Sequence, residues 1–339
     1  MATKGYSSYR GRAVGKTIAL AVALVAVILA AAGYLIAQNY TVYDDDGTAH
    51  IRLPFAKKEK EEKKQNLIDD VALDIQEPED PLRAVSLLQA RELSGKALVQ
   101  EDPAELLEEN PDALVIPIKL INGGIAFDIA ADIPAQVGRE KGASLQNLQT
   151  LLAADRYTVA HLCCLCDSYF VRAYPDAAYQ LKTGSYWYDA EGWTWLDPTH
   201  PETVSYLSTL CSELADLGFD EILLDYFSYP IIGNTAAIGN LGSEDRTATL
   251  QSLAGTLREL LPEDMVMSTV LRSAVSGDYG LSYELLTTAF DRIYVTAGGD
   301  REALLNNLPE GYDPADRIVA LGDHEEASSY VILYRKPAT

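Results

Sequence analysis

Eight short runs of apolar residues occur along the chain between residues 81 and 339. Each run has four to eight residues, and several are nearly continuous in apolarity. Continuous runs of this kind are typical of parallel strands that are buried on both faces. The pattern therefore predicts eight strands, at residues 84–88, 113–118, 157–164, 221–226, 265–271, 292–295, 317–321 and 330–334.

Amphipathic helical segments occupy most of the intervals, at residues 103–110, 144–154, 201–217, 247–261, 282–289 and 301–308. In the clearest, 201–217, Thr199 and Glu202 fit a capping box and Gly218 follows the last turn. Alternation of strand and helix predicts a parallel sheet, and a length of about 260 residues suits one (β/α)8 TIM-type barrel. The interval 322–329 is too short for a helix, which predicts an irregular closure.

The N-terminal region contains an uncharged segment at residues 17–37. At ~1.5 Å per residue it is long enough for a transmembrane helix across a ~30 Å bilayer core. Only basic charges precede it, at Lys4, Arg10, Arg12 and Lys16, so we expect residues 1–16 to be cytoplasmic and the rest extracytoplasmic. A cleaved signal peptide is the alternative, but its apolar core is usually only ~7–15 residues long.

Residues 38–80 separate this anchor from the barrel at 81–339. Residues 40–43 and 50–53 flank an Asp-Gly turn, which predicts a small hairpin. Residues 57–64 are alternating clusters of lysine and glutamate, most simply a solvated linker, with a contact to membrane or wall polymer as the alternative.

The amino-acid composition limits the kinds of partner and cofactor that the protein is expected to bind. The formal net charge of −23 argues against nucleic acid. Four cysteines do not make a disulfide framework. Cys163, Cys164 and Cys166 lie in one predicted strand, where Cys164 and Cys166 point to one face and Cys163 points to the other. We therefore expect buried thiols, a satisfied core histidine at His161, and neither a metal nor a cofactor.

The predicted strand 221–226 ends in Asp225, followed by Tyr226, Ser228 and Tyr229. Sites in parallel β/α proteins are built at the carboxyl ends of strands. Asp225 shares a strand face with Leu223, which directs it to the barrel mouth and predicts a nucleophile or base there. The alternative is a carboxylate that anchors a loop.

Glycoside hydrolysis needs a second carboxyl group, ~5–5.5 Å away in retaining enzymes and ~6.5–9.5 Å away in inverting ones. Asp167 is the best candidate, followed by Asp197, Asp278 and Asp300. Rings at Trp187, Trp193 and Trp195 could stack on sugars, or could form a local core over the barrel.

The stretch 157–230 resembles a bacterial family of glycoside-hydrolase-like proteins, often membrane-anchored, with a barrel related to that of α-amylase-type enzymes. The matching motifs are Tyr157-Thr158-Val159-Ala160 before Asp167, Tyr174-Pro175-Asp176, Trp187-Tyr188-Asp189, Trp195-Leu196-Asp197-Pro198, and Gly218-Phe219-Asp220-Glu221 through Asp225-Tyr226 to Pro230. The resemblance implies a carbohydrate-related barrel. In such a barrel we expect Asp225 and Asp167, at strand ends, to be the catalytic residues. We expect sugar contacts from Lys119, Trp187, Trp195, Asp197, Tyr226 and Tyr229.

The chain departs from this family at several strand ends. His161 and Ser228 stand where arginine is usual, and Cys166 replaces a lysine. Three functions therefore compete: a membrane-anchored hydrolase of a polysaccharide or cell-wall glycan, a glycan-binding barrel without turnover, and a structural protein. The arrangement of carboxylates around Asp225 discriminates among them.

Overall fold

The computed structural model describes residues 41–43, 49–51, 83, 85–93, 112–127, 144–242, 244–322 and 327–333. The expected membrane span at 17–37, the charged run at 57–64 and the expected helix at 103–110 lie outside these residues. Within the described ranges, no helix combines the length and the apolar character that a membrane crossing requires.

The chain divides into two compact units, Met1–Ile75 and Gln76–Thr339. In the first unit, β1 (Thr41–Tyr43) pairs antiparallel with β2 (Ala49–Ile51), with Thr41 opposite Ile51. This pairing confirms the hairpin that the Asp-Gly turn predicts.

The second unit contains a closed barrel of eight parallel strands. They are β3 (Gln89–Glu92), β4 (Ala113–Lys119), β5 (Tyr157–Cys163), β6 (Glu221–Asp225), β7 (Val266–Leu271), β8 (Arg292–Val295), β9 (Ile318–Leu321) and β10 (Ser329–Ile332). The short connection at 322–329 does not interrupt the barrel, because β10 pairs with both β9 and β3. The (β/α)8 TIM-type fold is confirmed.

The first barrel strand is displaced from its prediction. It covers Gln89–Glu92, whereas the apolar run lies at 84–88. Leu88 and Ala90 are buried in the barrel interior, but Gln89 is exposed and Arg91 is partly exposed. Because one face of this strand is polar, continuous apolarity does not mark its position.

Flanking helices connect the strands. They are α1 (Leu145–Leu152), α2 (Phe170–Ala173), α3 (Pro201–Leu217), α4 (Arg246–Arg258), α5 (Tyr283–Ala289), α6 (Arg301–Asn306) and α7 (Pro314–Arg317). Gly218 ends α3 in the left-handed conformation, with φ of 86°.

The predicted capping box at the start of α3 is wrong. Pro201 occupies the first turn, so His200 is the N-cap, and Thr199 instead donates to Asp197.

Side chains inside the barrel form three layers along its axis. The middle layer is apolar, and Val115, Val159, Leu223 and Val270 belong to it. Layered filling of this kind makes a TIM barrel a packed core rather than a pore. Ionic layers lie on either side, one at the amino ends of the strands and one at the carboxyl ends.

The ionic layer at the amino ends, which we call the floor cluster, surrounds the Glu221 carboxylate. It consists of Tyr157, Glu221, Ser268, Arg292 and Tyr294. Glu221 accepts hydrogen bonds from the hydroxyls of Tyr157 (2.8 Å), Ser268 (2.5 Å) and Tyr294 (2.7 Å), and it forms an ion pair with Arg292. Glu221 and Arg292 are almost completely buried. Its central ion pair is closed to solvent, which indicates a structural role.

Candidate active site at the barrel mouth

The ionic layer at the carboxyl ends contains the side chains that could do chemistry. Glu92 ends β3, His161 and Cys163 lie on β5, Asp225 ends β6, and Arg272 directly follows β7. Asp225 lies two residues beyond the interior residue Leu223, and His161 two residues beyond the interior residue Val159. Alternation along each strand therefore directs these side chains into the barrel.

Asp225 is held by two cationic side chains. Arg272 donates from Nε to Oδ1 (2.6 Å) and from Nη2 to Oδ2 (2.5 Å), and the backbone amide of Tyr226 also donates to Oδ1 (2.7 Å). His161 Nε2 lies 2.9 Å from Oδ2. Burial alone would raise the pKa of Asp225, but the hydrogen bonds from Arg272 and His161 lower that pKa to about 2. The carboxylate is therefore ionised, with both oxygens engaged.

His161 lies between two carboxylates. Its Nδ1 is 3.5 Å from Glu92 Oε1, while its Nε2 contacts Asp225. Burial alone would lower the pKa of His161, but hydrogen bonds to Asp225 and Glu92 raise that pKa to about 9. An imidazolium at neutral pH thus joins Glu92 to Asp225. The prediction of a satisfied histidine is confirmed, although its partners are charged.

A cavity of about 640 Å³ lies beside these groups. Glu92, His161 and Arg272 line it, together with loop residues 296–298. Asp225 does not reach this space, because it is fully buried beneath Arg272 and His161. The surface offered to a ligand is therefore a guanidinium, an imidazolium and a carboxylate. We call this set of groups and its cavity the mouth site.

Tyr226 adds a strained backbone and an aromatic face to the mouth site. Among the residues described, Tyr226 is the one non-glycine residue with a positive φ, which is 51°. Such strain costs about 1–3 kcal/mol and tends to occur at functional sites. The conformation turns the Tyr226 amide toward Asp225 Oδ1, and the Arg272 guanidinium lies 4.4 Å from the centre of the Tyr226 ring.

The predicted partner Asp167 belongs to a different ion pair. Its Oδ2 is 3.0 Å from Lys119 Nζ, and its Oδ1 accepts from two backbone amides at the start of α2. Lys119 also donates to the carbonyls of Cys163 (2.5 Å) and Cys166 (3.1 Å). Both charged groups are buried, so Lys119 and Asp167 tie down the loop after β5. The carboxylate linked to Asp225, through His161, is Glu92.

The other acidic candidates serve local structure. Asp197 accepts from the amide and hydroxyl of Thr199, and Asp300 caps α6. Asp278 is exposed in the short 3₁₀ turn Gly277–Tyr279.

The predicted aromatic platform is largely enclosed. Trp187 and Trp195 are 2% and 1% exposed, and their Nε1 atoms donate to the Asn234 carbonyl (3.0 Å) and to Asp189 Oδ2 (2.8 Å). Tyr229 is buried too, whereas Tyr188 is 55% exposed. The structure thus favours a local core over the barrel for both tryptophans, whereas Tyr188 is exposed and Trp193 is partly exposed.

Sequence reasoning missed Glu92 and Arg272. Arg272 directly follows the predicted strand 265–271, and an arginine at a strand's carboxyl end is a usable signal. Glu92 was hidden because the first strand was expected at 84–88, which places Glu92 in a loop. The sequence pattern also indicated no metal site, yet ligand atoms of His161, Cys163 and Asp225 lie within 4.8 Å of one another.

Comparisons with known proteins identify the family. Residues 90–271 match the family described as "Putative glycosyl hydrolase domain". Among solved structures, a hypothetical protein from Ruminiclostridium thermocellum ATCC 27405 is 25% identical, with 53% of this chain and 96% of that chain covered and a TM-score of 0.45. No curated protein matches the sequence.

Two more distant structures are described as an alpha-galactosidase and a glycoside hydrolase domain. An alpha-galactosidase from Thermus thermophilus is 14% identical, with 63% of this chain and 42% of that chain covered and a TM-score of 0.42. The glycoside hydrolase domain of PelA from Pseudomonas aeruginosa is 14% identical, with 70% and 84% covered and a TM-score of 0.40. The chain thus spans less than half the length of the alpha-galactosidase.

Proposed function

Because this chain belongs to the family described as "Putative glycosyl hydrolase domain", we propose that its barrel acts on a glycan by binding it in the mouth site. The observation that carries this proposal is the ion-pair chain Glu92–His161–Asp225–Arg272, which presents fixed charged donors and acceptors to a cavity.

Sugar hydroxyls both donate and accept hydrogen bonds, and charged partners make the stronger bonds. Glu92 can accept from a hydroxyl, while the N–H groups of Arg272 can donate to hydroxyl oxygens. Asp225 contributes indirectly, since it fixes the orientation of Arg272 and His161 from below. The groups are therefore preorganised, which lowers the entropy cost of binding.

Turnover with Asp225 as nucleophile or base is the second candidate, and family membership favours it. A nucleophilic carboxylate must offer one oxygen to the anomeric carbon. Both Asp225 oxygens are instead engaged, and Asp167 is committed to Lys119. Hydrolysis by this pair would require Arg272 and His161 to release Asp225. The geometry therefore supports binding better than turnover.

Two mouth variants test glycan binding. Arg272→Met and Glu92→Gln are expected to weaken binding at least tenfold, a loss of about 1.4 kcal/mol, because each removes a charged partner of a sugar hydroxyl. Glu259→Gln is the matched control, since Glu259 is exposed at the end of α4. Binding would be measured by calorimetry on soluble oligosaccharides and polysaccharides. Equal affinity of all four proteins would contradict the mouth site.

Asp225→Asn separates the two candidates within the same experiment. If Asp225 holds Arg272 and His161 in place, the asparagine side chain anchors them less well and the glycan affinity of Asp225→Asn falls. In that case the wild type releases no reducing ends. If Asp225 is the nucleophile, wild type releases reducing ends and Asp225→Asn abolishes turnover while binding persists. The second result would establish hydrolysis.

We also propose that the barrel is displayed outside the cell by the uncharged segment at 17–37. The support is the sequence pattern of that segment and of the basic residues before it. Protease added to intact cells should digest the barrel and spare residues 1–16. Protection of the barrel until the membrane is permeabilised would reverse this orientation.

A further inference from the structure

We propose that His161, Cys163 and Asp225 form a binding site for a divalent transition metal, with zinc the best-fitting ion. One ligand atom from each residue lies within 4.8 Å of the others. The proposal goes beyond glycan binding and does not rest on it, although His161 belongs to the mouth site as well.

The barrel topology brings these ligands together. His161 and Cys163 are two residues apart on β5, so both side chains face the barrel interior. Asp225 is the register partner of Cys163 on the neighbouring strand β6. Strand pairing alone therefore places an imidazole, a thiol and a carboxylate at one point, without any contribution from a loop.

The ligand types select the metal. Zinc accepts nitrogen, sulfur and oxygen ligands, commonly with three from the protein and one open position. A thiolate disfavours magnesium and calcium, which prefer oxygen ligands. Of the three ligands, His161 lines the 640 Å³ cavity, which is the side from which a fourth ligand such as water would enter.

Surrounding groups already orient two of the three ligands. Glu92 Oε1 lies 3.5 Å from His161 Nδ1, which leaves Nε2 directed at Asp225. A carboxylate behind a histidine is a common support for metal ligands. Arg272 Nε and the Tyr226 amide hold Asp225 Oδ1, while Oδ2 accepts from Arg272 Nη2 and contacts His161 Nε2. The Oδ2 lone pair that now faces His161 is the one that would bind the metal.

Binding exchanges two protons for one divalent ion. The metal replaces the Nε2 proton of His161 and the thiol proton of Cys163, and both protons leave to solvent. The net charge of the cluster is unchanged, so Arg272 keeps its carboxylate partner. Zinc bonds of ~2.0–2.2 Å to nitrogen and oxygen require His161 Nε2 and Asp225 Oδ2 to move slightly apart from their 2.9 Å separation.

The neighbouring cysteine offers a matched control. Cys164 lies on the opposite face of the chain and belongs to the outer hydrophobic core, and it is as well buried as Cys163. Replacement of either thiol by serine changes the same atoms, but only Cys163 belongs to the proposed site.

The test uses the full chain, stripped with a chelator and titrated with zinc chloride by calorimetry or with cobalt by absorption. We expect one ion per chain at the site and a thiolate-to-cobalt charge-transfer band. Cys163→Ser should lose the band and weaken zinc binding at least tenfold, while Cys164→Ser retains both. Glu92→Gln should weaken zinc binding by about 10–100-fold.

Two results would overturn the proposal. One is the absence of zinc binding to the wild type at micromolar free zinc. The other is an equal loss of metal binding in Cys163→Ser and Cys164→Ser. Circular dichroism checks that each variant is folded. If Cys163→Ser unfolds, His161→Gln takes its place, and unchanged zinc binding by that variant would equally rule out the site.

Discussion

Replacement of Arg292 by methionine is expected to lower the free energy of unfolding by about 3–5 kcal/mol. The change leaves the Glu221 carboxylate buried in the floor cluster with three hydroxyl donors but no cation. Arg292 also donates to the Ser86 carbonyl (2.6 Å), close to the seam where β3 meets β10. Since domains are stable by only about 5–15 kcal/mol, the loss is a large fraction of the total.

Urea unfolding followed by circular dichroism measures this effect. The double variant Glu221→Gln/Arg292→Met removes both charges, so we expect it to be more stable than Arg292→Met alone. Arg301→Met is the control for the loss of an exposed arginine, expected to change stability by less than about 0.5 kcal/mol. If Arg292→Met behaved like Arg301→Met, the floor cluster would not stabilise the barrel.

Replacement of Lys119 by methionine is expected to have a similar cost, about 3–5 kcal/mol, because it leaves the Asp167 carboxylate buried without its cation. The carbonyls of Cys163 and Cys166 lose a donor as well. The measurement is the same unfolding titration, with Lys182→Met as the exposed control. This prediction addresses the role that sequence resemblance assigned to Lys119, which was sugar binding.

The alternative role gives the opposite result. If Lys119 contacts a glycan, Lys119→Met should unfold at the wild-type urea concentration and lose affinity. If Lys119 is structural, stability falls and the folded fraction binds the glycan as the wild type does. Wild-type stability of Lys119→Met would therefore contradict the buried ion pair.

Local patterns were sufficient to predict the barrel. Strands β4 to β10 are apolar over most of their length, so runs such as 221–226 and 265–271 mark them within two residues. The direction of the Asp225 side chain, into the barrel, also followed from its position two residues after Leu223. The first strand failed this criterion because Gln89 and Arg91 give it a polar face.

The site was harder to predict because its contacts join distant parts of the chain. Asp225 looks like a free carboxylate in sequence, and only strand pairing brings His161 and Arg272 against it. Lys119 and Asp167 look like mouth residues, yet they are buried beneath a loop. Nor does sequence reveal whether a tryptophan is enclosed, as Trp187 and Trp195 are here.

The apolar middle layer has an evolutionary consequence. It separates the floor cluster, on which the stability of the barrel depends, from the charged side chains at the mouth. Distant sites with no shared partners change stability nearly additively. The stability cost of a substitution at the mouth should therefore not depend on the state of the floor cluster. A change of side chain at His161 could therefore alter the chemistry of the mouth while the barrel beneath it stays the same.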